Sequence, residues 1–474
     1  MLSKEEFLLI YNEGPDATYA FVKSLLEAIE SLTRRVEALE SQLKKNSSNS
    51  SKPPSSDGFN KPSRTKSLRE KSGKKPGGQI GHKGTTLKQA DKPDKIKRLP
   101  VIKCTACNFD LASREKISVE KRQVIDIPPI TTQVIEFQAD VKDCPCCGSR
   151  NIGEFPSWAK ESIQYGPRVK ALSAYFMNYQ FLPYKRLQEC FQDVFNCNIS
   201  TGSLYNFQNE AYCLLEEPEQ QVITDLKSSP ILHADESGFY VNGKRRWIHE
   251  YSSETSTFYA HHEKRGVKAM LDIGILTDYK GRCIHDHWDS YFLFDCLHGL
   301  CNSHHLRELK FLHEVKKEDW ADKMKKCLLS IKSSVSYYKD KNRLPKKLIT
   351  SFTNRYRRII KLGLVYQATL PSLEKKGVRG RKAQHPGKNM LDRLKGKEEN
   401  VLAFMNDFTV PFDNNLGERD IRMTKVKQKI SGCYRSSKGG DFFCRIRGII
   451  STIRKRNLNT FESLYGTFVG INPI

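Results

Sequence analysis

Apolar residues recur along the chain at different spacings, and each spacing predicts a different element. Near the N-terminus the period is seven. Val22, Ile29, Val36 and Leu43 share one heptad position, and Leu25, Leu32 and Leu39 share another. Such a stripe makes a short coiled-coil seam of about three heptads. It predicts a helix within residues 1–45 and a homo-oligomer through residues 20–45, with packing on the protein's own body as the alternative. From 158 to 228 the spacing becomes helical. Tyr184–Phe195 is apolar on one face, residues 196–202 form a turn, and a second helix starts near Ser203 with Ser200 or Thr201 as its cap. This is similar to a helix-turn-helix, a pattern that any two packed helices also give, and it marks 158–228 as a candidate helical DNA-binding domain.

Between 229 and 314 short β-branched and apolar runs predict strands at 231–241, 245–251, 256–262, 282–286 and 297–301. A helix from about 266 and another near Asn302 lie among them. Residues 315–405 are helical and basic and read as an insertion. Helices return at 413–430 and 440–457, within a last segment 406–474. The whole is a multidomain α/β chain, and 474 residues suit about three domains.

Charge sharpens this picture. The chain has 79 Lys+Arg against 54 Asp+Glu, a net +25. An excess of that size favours a polyanion, most simply DNA. The excess is concentrated: residues 44–103 hold 17 basic and 4 acidic residues. Their Ser-, Asn- and Pro-rich start predicts a basic disordered linker over 46–99. Lys74, Lys75, His82 and Lys83, around a Gly-rich stretch at 76–84, are candidates to follow the DNA backbone. A plain solvated linker is the alternative. The stretch lacks the Gly-Lys-Ser/Thr ending of a phosphate-binding loop. No run of about 20 apolar residues and no secretory leader stand out, so we expect no membrane partner and a cytoplasmic chain. Its 14 cysteines then read as thiols and metal ligands.

Two knuckles carry the strongest spacing. Cys104 and Cys107 form one pair, Cys144 and Cys147 the other, with 36 residues between them. Four such thiolates make a tetrahedral structural Zn2+ site, and Gly148 suits the tight turn. Cys146 could compete for a place. We expect a small β-rich zinc-binding module over 100–157. The second chemistry is acidic. Asp235 interrupts an apolar strand, Asp286 ends another, and Glu418 lies on a late helix behind Asn414 and Asn415. Carboxylates so placed can hold divalent cations through oxygen. Asp289 is the rival of Asp286. Glu236 should face away from Asp235. His304 and His305 open a helix near the site, as DNA contacts or as core. Arg419 and Arg422 flank Glu418 and are candidate phosphate contacts.

Several ordered motifs together carry a family resemblance. They are the heptad helix, Ser-Ser-Asn-Ser-Ser-Lys-Pro-Pro-Ser-Ser-Asp, Gly-Gly-Gln-Ile-Gly-His-Lys-Gly, the paired knuckles, His-Ala-Asp-Glu-Ser and His-Asp-His-Trp-Asp-Ser-Tyr. They continue with Cys301-Asn-Ser-His-His-Leu-Arg-Glu-Leu309, Pro-Phe-Asp-Asn-Asn-Leu-Gly-Glu-Arg and Arg435-Ser-Ser-Lys-Gly-Gly440. Nearly end to end, the chain resembles the DDE transposases of the insertion-sequence-66 family of bacteria. The resemblance implies an RNase H-like core, broken by the helical insertion that fills much of the 132-residue interval from Asp286 to Glu418. It implies that Asp235, Asp286 and Glu418 are catalytic and bind two Mg2+ (or Mn2+). The zinc-ribbon-like module and helical domain would hold DNA ends, with small accessory proteins as further partners and the nucleoid as the location. Ser237, His287 and Gly417 depart from the usual pattern without removing a ligand. The alternatives are an inactive DNA-binding relic and a nuclease of the same fold. A zinc hydrolase is disfavoured because thiolates would fill all four zinc positions.

Overall fold

The computed structural model describes residues 4–43, 81, 87–373 and 384–474. The chain divides into two compact units, Met1–Lys71 and Ser72–Ile474. The first holds α1 (Lys4–Asn12) and α2 (Pro15–Leu43). Gly14, at φ +109°, separates them, and Pro15 then begins α2 where no amide donor is needed. Val22, Leu25 and Leu32 of the heptad stripe are 45–58% exposed. The basic-arm candidates Lys74, Lys75, His82 and Lys83 lie outside the described residues.

The second unit starts with the cysteine module. It contains less strand than the sequence predicts: one antiparallel pair, β1 (Val141–Asp143) with β2 (Arg150–Ile152), and a Lys103–Asp110 bridge. Ile117, Val124 and Val134 on the stretch between the knuckles are 87–103% exposed. Such β-branched residues suit a strand, but a strand needs a partner and a core to cover one face.

Four helices follow: α3 (Pro167–Asn178), α4 (Tyr184–Phe195), α5 (Thr201–Leu214) and α6 (Glu216–Ser228). Asn196, left-handed at φ 47°, stops α4, and Ser200 caps α5 by accepting the Ser203 amide at 2.9 Å. Leu187 and Phe191 pack against Leu204 and Phe207 to fix the α4–α5 corner.

The sheet comprises β3 (Ile231–Val241), β4 (Lys244–Ser252), β5 (Thr257–His262), β6 (Arg282–His285) and β7 (Leu297–Leu300). Helix α7 (Val267–Ile273) lies between β5 and β6. Spatial order is β5-β4-β3-β6-β7, with β3, β4 and β5 antiparallel and β3, β6 and β7 parallel. Asn242-Gly243 closes the β3–β4 hairpin with both residues at positive φ, as a two-residue turn requires. These strands match the predicted runs to within a residue or two. Helices α8 (Asn302–Glu314), α9 (Asp319–Tyr337), α10 (Lys346–Thr369), α11 (Pro386–Gly396), α12 (Glu398–Val401) and α13 (Ala403–Asn406) then build one apolar core. Met324, Leu328, Tyr356, Met390 and Leu394 fill it, and Ile284 and Leu300 join it from the sheet.

The chain ends in α14 (Asn415–Ser431), α15 (Ser437–Lys455) and α16 (Thr460–Phe468). Ile446, Ile449, Ile450 and Ile453 of α15 share a second core with α3, α6 and the sheet. Gly448 lets α15 approach β5: a Cβ there would sit 3.1 Å from the Thr257 carbonyl. Among the described residues no helix is long and apolar enough to cross a membrane.

Candidate active site

Strand register brings the first two carboxylates together. β3 and β6 run parallel with His233 opposite Ile284. Two residues further along each chain stand Asp235 and Asp286, the latter just past the end of β6 at His285. Asp286 accepts the Trp288 amide at 2.9 Å, which fixes its turn. Asp289 is exposed and opens the short helix Asp289–Leu293.

Glu418 enters from α14, in its first turn. Asn414, at the helix start and 2% exposed, pins that turn to the sheet. Its Oδ1 accepts from His233 Nδ1 at 2.7 Å, its Nδ2 donates to the Ala234 carbonyl at 2.9 Å, and its amide donates to Cys301 Sγ at 3.2 Å. Asn414→Ala strands His233 and the Ala234 carbonyl in a dry interior. We expect it to cost roughly 2–4 kcal/mol, read as a lower urea midpoint at unchanged slope.

The carboxylates feel one another. Burial is the first cause that pushes the Asp235 carboxyl up to about 8, and the charges of Glu236, Asp286 and Glu418 add to it. The Glu236 amide, 2.8 Å from Asp235 Oδ1, opposes the shift. Alternation along β3 turns Glu236 the other way, as expected. Its nearly buried carboxylate accepts from Arg265 Nε at 2.8 Å and from the Tyr291 hydroxyl at 2.6 Å. Arg265 also lies 4.2 Å over the Trp288 ring. Glu236 thereby ties β3 to the loop that carries Asp286, a role that pattern reading missed.

Neutral histidines brace the same loop. His285 donates through Nδ1 to the Asp286 carbonyl, and its Nε2 meets His298 Nδ1 at 3.1 Å. His305 donates to Asn302 Oδ1 at 3.0 Å and meets His287 at 3.1 Å. Burial holds His285 down at about 3 and His287 at about 4. Of the two histidines singled out on α8, His305 is therefore core, and His304 faces Glu418. His304 Nδ1 lies 3.7 Å from Glu418 Oε1, Cys301 Sγ 3.7 Å, and Arg307 Nη2 3.6 Å. Arg307 was not foreseen, although Cys301, His304 and Arg307 repeat every third residue at a helix start. Arg419 and Arg422 are exposed.

The two knuckles have one geometry. In the first, the Cys104 amide bonds the Phe109 carbonyl at 2.9 Å and Asn108 (φ 60°) bonds back to Cys104 at 3.0 Å. In the second, Cys144 bonds Ser149 at 2.9 Å and Gly148 (φ 70°) bonds back at 2.8 Å. Hydrogen bonds favour the thiolate in both. The Ser149 hydroxyl, 3.0 Å away, brings Cys147 down to about 7, and the Cys107 amide lowers Cys104. Among the described residues only Cys301, His304 and Glu418 bring three ligand atoms within 4.8 Å of one another. Neither the four knuckle cysteines nor Asp235, Asp286 and Glu418 reach that spacing.

A family model described as "Transposase IS66 family" matches residues 162–441, more than half of the chain. The chain belongs to that transposase family. The matched span of this IS66-family chain runs from the helices before the sheet through α14 and includes all three carboxylates. A model described as a family of unknown function (DUF6444) matches residues 12–88. No curated protein matches the chain. One chain of the solved structure titled "CryoEM structure of simian T-cell lymphotropic virus intasome in complex with PP2A regulatory subunit B56 gamma" is 12% identical. It covers 45% of this chain and 84% of its own length at a TM-score of 0.14, a likeness that carries no argument.

Proposed function

We propose that this IS66-family chain is a DDE-type transposase that binds the terminal repeats of an insertion sequence, cleaves their 3' ends and joins them to target DNA. The observation that carries the reading is the parallel register of β3 and β6, which continued by two residues makes Asp235 level with Asp286, together with the Asn414–Ala234 bond that ties the start of Glu418's helix to β3. The mixed sheet, followed by a run of helices before the last acid, supports an RNase H-like core over 229–314 and 406–474 with an insertion at 315–405.

Divalent cations suit these residues. A buried carboxyl raised by three neighbouring acids is a site where positive charge is wanted. Asp235, Asp286 and Glu418 would hold two Mg2+ or Mn2+, which when bound activate the attacking hydroxyl and stabilise the leaving oxygen. The protein's own part is positioning. Asn414 sets Glu418 against β3, Glu236 with Arg265 and Tyr291 sets the Asp286 loop, and Arg307 balances the charge of Glu418.

The net charge of +25 fits a DNA substrate, and binding should weaken steeply with salt. Arg419 and Arg422, exposed on the helix that carries Glu418, suit phosphate contacts, as do Lys74, Lys75, His82 and Lys83. The helical domain 158–228 and the module 100–157 would grip the ends, at the nucleoid. The exposed stripe of α2 would pair two copies, with accessory proteins as further partners. Cys104, Cys107, Cys144 and Cys147 would close around a structural Zn2+. Cys104→Ser is then expected to lose that zinc on dialysis, counted by atomic emission, and to weaken end binding.

The test is Mg2+-dependent cleavage and joining of labelled element-end DNA. Both reactions support the transposase. Cleavage without joining would indicate a nuclease of the same fold, and binding alone would indicate a retired enzyme.

A further inference from the structure

We propose that Cys301, His304 and Glu418 form a second kind of metal site, for a borderline-soft divalent cation such as Zn2+ or Cd2+, that competes for Glu418 with the hard cations of catalysis. Cys301 Sγ and His304 Nδ1 each lie 3.7 Å from Glu418 Oε1. With Zn–S near 2.3 Å and Zn–N and Zn–O near 2.0–2.1 Å, the edges of a tetrahedral site are roughly 3.3–3.8 Å. Two of the three edges already have almost that spacing, and the three ligand atoms all lie within 4.8 Å of one another.

The donors are also held in place. Cys301 lies between β7 and α8, where its amide bonds the His285 carbonyl at 2.9 Å and its sulfur accepts the Asn414 amide. His304 lies three residues on, on the same side of the first turn of α8. His304 Nδ1 is buried and has no hydrogen-bond partner. A buried nitrogen lone pair or N–H aimed at a carboxylate from 3.7 Å is costly unless something fills the gap. The His304 and Glu418 side chains remain 38% and 22% exposed, so an ion can enter from solvent and keep a water as fourth ligand.

Ligand chemistry decides which ion. Mg2+ takes oxygen ligands and has no use for a thiol or imidazole, whereas Zn2+ and Cd2+ prefer sulfur and nitrogen. Entry of the ion releases the Cys301 proton to solvent. Arg307, 3.6 Å from the same carboxylate oxygen, opposes the ion and sets a threshold for its binding. The site stands on its own geometry. Its consequence, loss of the catalytic carboxylate, rests on the role proposed for Glu418.

The experiment is a Cd2+ titration of the full chain, followed by the ultraviolet thiolate–Cd2+ charge-transfer band and by bound-metal count. Wild type should bind one more equivalent than Cys301→Ala. His304→Gln, which keeps the thiol and alters a half-buried position, should weaken that equivalent, and Arg307→Gln should tighten it. Equal stoichiometry in wild type and a folded Cys301→Ala, or an unaltered affinity in His304→Gln, would overturn the site. An extra Cd2+ that leaves Mg2+-dependent joining intact would overturn the competition for Glu418 while leaving the site.

Discussion

Glu418→Gln is expected to reduce Mg2+-dependent joining by on the order of a thousandfold, about 4 kcal/mol of barrier, while end binding survives. Gln keeps the shape of the side chain and one acceptor oxygen. It loses the negative charge that a cation needs, and it presents an amide N–H₂ to Arg307 and His304, which are donors or cations themselves. The helix should stay in place, because Asn414 and not Glu418 carries the bonds to β3. Filter binding and thermal unfolding should therefore match wild type. A variant that joins DNA normally would remove Glu418 from the chemistry.

Asp235→Asn should also abolish catalysis, but it should leave a more stable protein. The Asp235 carboxyl ionises near 8 in the folded chain against 3.8 ordinarily. The folded state therefore binds this proton more tightly than the unfolded state does. The stability it contributes is fully present below pH 3.8 and is lost as pH rises through about 8. Metal-free wild type should lose Tm across that window, while Asp235→Asn, with no charge to bury beside three acids, should not. At pH 8 the variant should melt higher by several degrees. Mg2+ should act in the converse sense, raising the Tm of wild type at pH 8 and doing little for the variant. A wild type and variant with parallel pH profiles would mean that the carboxylates are farther apart than the structure shows.

Periodicity was enough to read the sheet, because its central strands leave short, mostly buried runs such as 231–234 and 282–285. It was also enough for α4, whose ends are marked by Pro183 and Asn196, and for the all-helical stretch before Glu418. It failed over 111–140, where Ile125 with Ile127 and Ile135 with Phe137 alternate like strands yet find no sheet to join. Asp235 and Asp286 were visible because a charge within or at the end of an apolar run is anomalous, and Glu418 through its place behind Asn414-Asn415 and the family resemblance. Their supports were not. Asn414 pairs with Ala234 across 180 residues, and Arg265 with Glu236 across 29. Such contacts depend on the register of β3 with its neighbours, which no local pattern encodes. The Cys301–His304–Glu418 cluster was hidden for the same reason, since its third member comes from another helix.

The most direct test is joining of pre-cut element-end DNA to a target plasmid in Mg2+, with wild type beside Asp286→Ala and Asp289→Ala. This step needs only the catalytic centre and skips end cleavage. The account predicts joining by wild type and Asp289→Ala and none by Asp286→Ala. Joining by Asp286→Ala at the wild-type rate, or its loss in Asp289→Ala alone, would contradict the claim that β3 and β6 together present the reacting carboxylates.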